Sequence, residues 1–250
     1  MDVKAVLLLA LSGLILVIVL IVRSRKGPRP RLRPLPAFLD LWKQAGYAAE
    51  SGGAIHLALG SGGINAEDAV TSLAGLQVVE ALANTAVSYQ SPPIVTVGDP
   101  TLLPLAQDIL RRAYERNGCA ELYDPGNVRF IAPSPTAYAA GAAHVVASEK
   151  VTASTMDGAF GTEVSLIADA GARRDMDQLA AAANPSALGA LYPAIDRLAI
   201  GEELFAAGAE MTEERSDATS LLAQDILRVI LVLIILGTVL GTVGRALMGG

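Results

Sequence analysis

The sequence predicts an α/β fold built on a parallel sheet, and three observations carry that prediction. Short, nearly continuous apolar runs recur at 54–59, 94–97, 128–132 and 151–156. Longer stretches of helical periodicity separate them. Strongly apolar runs also stand at both ends of the chain. Strands that are apolar at every position suit a sheet covered on both faces, and strands alternating with helices make βαβ units. The expected class is a Rossmann-like parallel sheet with flanking helices, bracketed by two transmembrane helices.

The elements follow in order. Ala5 to Val22 is uncharged over 18 residues, about 27 Å as a helix and enough to cross a hydrocarbon core. Its leading segment carries one lysine balanced by Asp2, and no small-x-small cleavage site follows, so a retained anchor is expected rather than a cleaved signal. Next come Arg23, Arg25, Lys26, Arg29, Arg31 and Arg33, a cluster held on the cytoplasmic side. Residues 27–36 contain four prolines and read as a stiff extended connector. Phe38, Leu39, Trp42, Ala45 and Ala49 then fall at helical spacing, packing on the domain or lying at the membrane interface.

Helices are expected at 66–89, 102–116 and 136–149, between the four apolar runs. Val164, Ile167, Ala168 and Gly171 are spaced i, i+3, i+4, i+7 and predict a helix over 162–173 with Thr162 as its cap. Residues 178–182 and 197–200 are read as two further strands, with helices at 185–195 and 202–209. A helix over 216–228 leads into the second span, Val229 to Gly244, whose 16 residues are lengthened if Arg245 snorkels. The resulting organisation is an anchor with its basic stop (1–26), a linker (27–36), a Rossmann-like domain (37–215) and a terminal helix with span (216–250). Both termini are expected outside a two-pass inner membrane, with the central domain cytoplasmic.

Charge narrows the function classes. The chain carries −6 overall, but residues 37–224 hold 23 Asp or Glu against 10 Lys or Arg, a net −13. Nucleic-acid binding requires a cationic surface, so it is excluded as an expectation. The lone cysteine, Cys119, suits a reducing compartment and reads as a small buried side chain. His56 reads as a core or strand-end histidine. No Ser-His-Asp order, Cys/His metal spacing or Walker-type lysine is present, so neither a metal nor a cofactor is expected and no catalytic set stands out.

Ligands of parallel α/β sheets bind beyond the carboxyl ends of the strands. The candidates there are Gly60, Ser61, Gly62 and Gly63 after the first strand, Asp99 after the second, Ser134 after the third, Asp157 and Gly158 after the fourth, and Glu202 after the last. Gly60-x-Gly62 opens like a dinucleotide fingerprint, but Asn65 stands where the third glycine belongs and Glu67 and Asp68 follow. Carboxylates in a first helical turn complement the helix dipole themselves and repel phosphate. Capping by Asn65 and Asp68 explains the loop without a ligand. Asp99, Asp157, Glu163 and Glu202 could gather at one crevice for acid–base work or to bind a divalent cation, but the same four are explained as caps and dipole partners. In the second span, Gly237-x-x-x-Gly241 with Gly244 allows close helix packing, and neither span holds an internal charge that would mark an ion path.

The stretches Asp157 to Gly171 and Ile200 to Ala209, with the glycine-rich turn after the first strand, resemble an uncharacterised bacterial family of membrane proteins known only as a domain of unknown function. The resemblance implies a membrane-anchored α/β domain and assigns no catalytic residue. The expected role is a non-catalytic subunit or scaffold in the lipid bilayer, a homo-oligomer or part of a membrane complex. A nucleotide, small anion or other small molecule at the strand ends is the alternative.

Overall fold

The four apolar runs become the centre of one sheet because β-branched and aliphatic side chains on both sides of each strand are taken up by helices on both faces. The structure, a computed structural model, describes residues 41–65, 67–91, 93–201 and 203–205, together with Gly13, Phe38 and Val232. The chain divides into two units, Pro34–Thr212 and the terminal stretches Met1–Arg33 with Glu213–Gly250; the fold described below is that of the first.

Its elements are α1 (Leu41–Ser51), β1 (Ala54–Gly60), α2 (Ala69–Ser88), β2 (Ile94–Val97), α3 (Leu102–Arg116), β3 (Val128–Phe130), α4 (Pro135–Ser148), β4 (Val151–Ala159), α5 (Ser165–Ala172), β5 (Asp177–Ala182), α6 (Pro185–Leu191) and β6 (Arg197–Ile200). The six strands pair in parallel in the order β3-β2-β1-β4-β5-β6. The order reverses between β1 and β4, which makes their carboxyl ends the topological switch point.

Two cores result. On one face Leu57, Leu59, Val95, Val97, Leu179 and Ala181 pack against α1, α2 and α3; on the other Ala58, Met156, Ala180 and Ala182 pack against α4, α5 and α6. Trp42 is packed, half-buried, on the first core. Helix α2 is long and apolar enough to cross a membrane, yet its apolar length is taken up by the domain: Leu76, Val78, Val79 and Leu82 are buried in the core. The expected spans at 5–22 and 229–244 lie outside the described residues, except that Gly13 and Val232 are helical and exposed.

Several local expectations are corrected. Helix α2 begins at Ala69 rather than 66, with Asp68 at the N-cap position and no side-chain capping bond; Asn65 is exposed in the turn before it. A short 3-10 turn, Thr162–Val164, precedes α5, and its cap position is Gly161, not Thr162. Strand β4 runs three residues further than predicted, to Ala159, because it stays paired to β1 as far as Gly60↔Ala159. Asp157 and Gly158 therefore lie inside a strand. Of the helix expected over 202–209, residues 203–205 are described and are helical; the rest lies outside the described residues.

Candidate functional site

At the switch point the loop glycines stand directly against the chain's own atoms. Gly60 sits at φ +82°, and a Cβ there would stand 1.9 Å from the Ala159 carbonyl oxygen, so glycine is required both for the turn and for the approach. The Ser61 N–H donates to that carbonyl at 3.0 Å, and the Gly98 N–H donates to the Gly60 carbonyl at 2.9 Å. At Gly62 a Cβ would meet the Ala159 Cβ at 2.5 Å and the Ser72 Oγ at 3.0 Å; at Gly63 it would meet the Asp99 carboxylate at 2.3–2.6 Å. The spaces that these glycines leave are thus occupied by Ala159, Ser72 and Asp99.

The acidic candidates separate into two kinds. Asp99 accepts from the Thr101 N–H at 2.8 Å and from the Thr101 hydroxyl, which in turn accepts from the Ile64 N–H at 3.2 Å. Glu163 accepts from the Gly161 N–H at 2.7 Å. Both act as turn and cap partners. Asp157 does not. It is 2% exposed, and neither carboxylate oxygen has a hydrogen-bond partner. Burial alone pushes its carboxyl well above the ordinary carboxylate range. Turn and cap bonds thus account for Asp99 and Glu163 and fail to account for Asp157. Ser134 is exposed at the N-cap position of α4 and makes no side-chain capping bond. Glu202, Gly237, Gly241 and Gly244 lie outside the described residues.

Around Asp157 the register places further polar groups. Thr155 is aligned with Leu57 and Leu179, and Asp157 with Ala181, so both point to the face covered by α2. The Thr155 and Ser72 hydroxyls are buried and unpartnered as well. Helix α2 lies directly on the strand at Gly75, where a Cβ would be 2.3 Å from the Asp157 carbonyl oxygen.

The opposite face carries a polar chain that sequence reasoning missed. His56 is fully buried between Ser154 Oγ, 3.1 Å from Nδ1, and Thr96 Oγ1, 3.0 Å from Nε2. Tyr138 Oη lies 3.1 Å from Thr96 Oγ1, donates to the Thr96 carbonyl and accepts from the Gly60 N–H. Burial, then the Arg129 charge, lowers the His56 pKa to about 3, and burial raises that of Tyr138 to about 12, so both side chains are neutral near pH 7. This chain ties β4, β1, β2 and α4 to the glycine turn. The signal for it was present: His56, Thr96 and Ser154 interrupt otherwise apolar strands.

A cavity of about 500 Å³ opens among the ends of α2 and α3, lined by Val87, Gln90, Tyr114, Asn117, Cys119 and Leu122 among others. Cys119 is only half-buried, not enclosed as expected, and its thiol donates to the Tyr114 carbonyl at 3.6 Å. Among the described residues no group of three or more His, Cys, Asp or Glu could hold a metal ion.

The family model described as "Domain of unknown function (DUF6754)" matches residues 2–249. The chain belongs to that family. The resemblance read from Asp157 to Gly171 and from Ile200 to Ala209 is thereby borne out at the level of family, and no residue role comes with it. Neither the curated proteins nor the solved structures yield a match. The geometry of the six-stranded sheet is therefore the basis for any reading of activity.

Proposed function

We propose that the chain is a membrane-anchored, non-catalytic subunit or scaffold, presenting a cytoplasmic α/β domain for self-association or for docking other proteins of a membrane complex. The observation that carries this reading is the closed switch point. A pyrophosphate needs open glycine backbone at a helix N-terminus, whereas here Ala159, Ser72 and the Asp99 carboxylate take up the side of Gly62 and Gly63 on which a Cβ would stand. A nucleotide or small anion at the same place would have to displace a carboxylate already bonded to Thr101.

The anchoring part rests on the two uncharged terminal runs and the six-charge cluster between Arg23 and Arg33. The helical state of Gly13 and Val232, one in each run, is consistent with spans there. Association is supported by Gly237, Gly241 and Gly244 at close-packing spacing, and by Val70 and Leu73, exposed one turn apart on α2. Native mass spectrometry of the full chain in mild detergent tests the reading. It predicts a defined oligomer or a co-purifying membrane protein; a monomer free of partners would overturn it.

A further inference from the structure

We propose that the cavity between the C-terminal ends of α2 and α3 is a binding site for an aliphatic diamine or longer polyamine. Both helices end in the same hydrogen-bonded turn. In α2 the Gln90 N–H donates to the Val87 carbonyl and the Ser91 N–H to the Ala86 carbonyl, both at 2.9 Å. In α3 the Gly118 N–H donates to the Glu115 carbonyl at 3.1 Å and the Cys119 N–H to the Tyr114 carbonyl at 3.0 Å. Each closure satisfies two inner carbonyls of the last turn and leaves the helix end its partial negative charge. Val87, Ser88 and Gln90 bring one such end to the cavity, and Tyr114, Asn117 and Cys119 bring the other.

Charge and lining select the ligand. Among the described residues no charged side chain lines the cavity. Helix α2 has no basic residue in its last turn, and the one in α3, Arg116, is turned onto Glu80 at 2.9 Å. Exposed Glu121 and Asp124 stand close in sequence on either side of Leu122 in the lining. A cation complements these helix ends, and an anion would meet like charge. The volume of about 500 Å³ suits a small molecule. Val87, Tyr114 and Leu122 offer apolar surface for methylenes, and each helix end offers oxygen acceptors for one ammonium group. The Asn117 amide donates from Nδ2 to the Ala113 carbonyl at 2.8 Å and to the Asn84 carbonyl at 3.4 Å, which leaves its Oδ1 to accept. Gln90 is the sharper sign. It holds φ +58°, where Gly118 holds +69° at the matching place in α3. Glycine is the residue that such a turn favours, so a glutamine there is strained, and a role for its amide in the cavity offsets the strain. This inference goes beyond the scaffold reading and does not depend on it.

The test is isothermal titration of the full chain in mild detergent at pH 7.5 with 1,4-diaminobutane. The expected result is one saturable site with a Kd of about 100 μM, and n-butylamine about tenfold weaker because it engages one helix end only. Asn117→Lys sets a cation at the end of α3, where helices tolerate it, and should abolish binding. Gln90→Gly should raise Tm by about 3 °C while weakening binding by about fivefold, opposite changes that a merely structural glutamine would not give. Cys119, the one cysteine of the chain, supplies a second readout, since saturating diamine should slow its alkylation by iodoacetamide about tenfold. No saturable binding up to about 10 mM would overturn the proposal. Binding that survives Asn117→Lys unchanged would overturn it too, placing the amine on the acidic surface instead. So would equal affinity for n-butylamine, because the second helix end would then contribute nothing.

Discussion

Two groups of buried polar side chains, one on each face of the sheet, are treated in opposite ways. On the α4 side, Ser154, His56, Thr96 and Tyr138 hand hydrogen bonds from one to the next and end on the Gly60 N–H. On the α2 side, Thr155, Asp157 and Ser72 are as deeply buried and bond to nothing within the chain. A completed network fixes geometry, and here it holds the turn that closes the switch point. An incomplete one implies either an occupant or a standing cost. The difference teaches that the polar chemistry of this domain lies beneath the strand-end crevice, not in it.

The largest expected effect is the acid response of the bonded face. His56 is neutral in the fold and becomes charged on unfolding below its ordinary pKa of 6.5. Its contribution is fully present above that pH and is lost as pH falls toward the folded value of about 3. Between pH 6.5 and 4 the wild type should lose roughly 3 kcal/mol from this group. Urea denaturation across that range checks it, and His56→Gln should flatten the slope.

Next, Tyr138→Phe leaves the Gly60 N–H without its partner in a buried turn, a loss of about 2 kcal/mol. Chemical denaturation reads this directly, and a change under about 0.5 kcal/mol would break the claim that this network holds the turn.

The smallest effect has the opposite sign. Asp157 has a raised pKa, so its proton-linked stability is complete below the ordinary carboxylate pKa and is lost as pH rises toward the folded value. Asp157→Asn should therefore raise Tm near pH 7.5 by about 3 °C and remove that decline. A lower Tm would mean that the carboxylate is held by a partner after all.

Much of this was legible in the residues. Nearly continuous apolar runs located β1 and β2 to within a residue at each end, because strands covered on both faces are apolar on both, broken here only at His56 and Thr96. The acidic caps Asp99 and Glu163 followed from helix-end chemistry. What escaped was set by non-local pairing. Strand β4 continues to Ala159 only because Gly60 lies beside it, so Asp157 read as a loop residue and a cap. Ser72 and Thr155 are ordinary hydroxyls in sequence, and only the packing of α2 on the sheet buries them. His56 was placed in the core, but its partners Ser154 and Thr96 are 98 and 40 residues away, beyond the reach of any local pattern.

The closed switch point is the centre of this account, and nucleotide binding tests it most directly. Equilibrium dialysis of the full chain in detergent against NAD or ATP should show no saturable binding up to about 1 mM, the weak end of useful cofactor affinity. Saturable binding that Gly62→Val removes would contradict it, because the loop would then have opened to admit a phosphate.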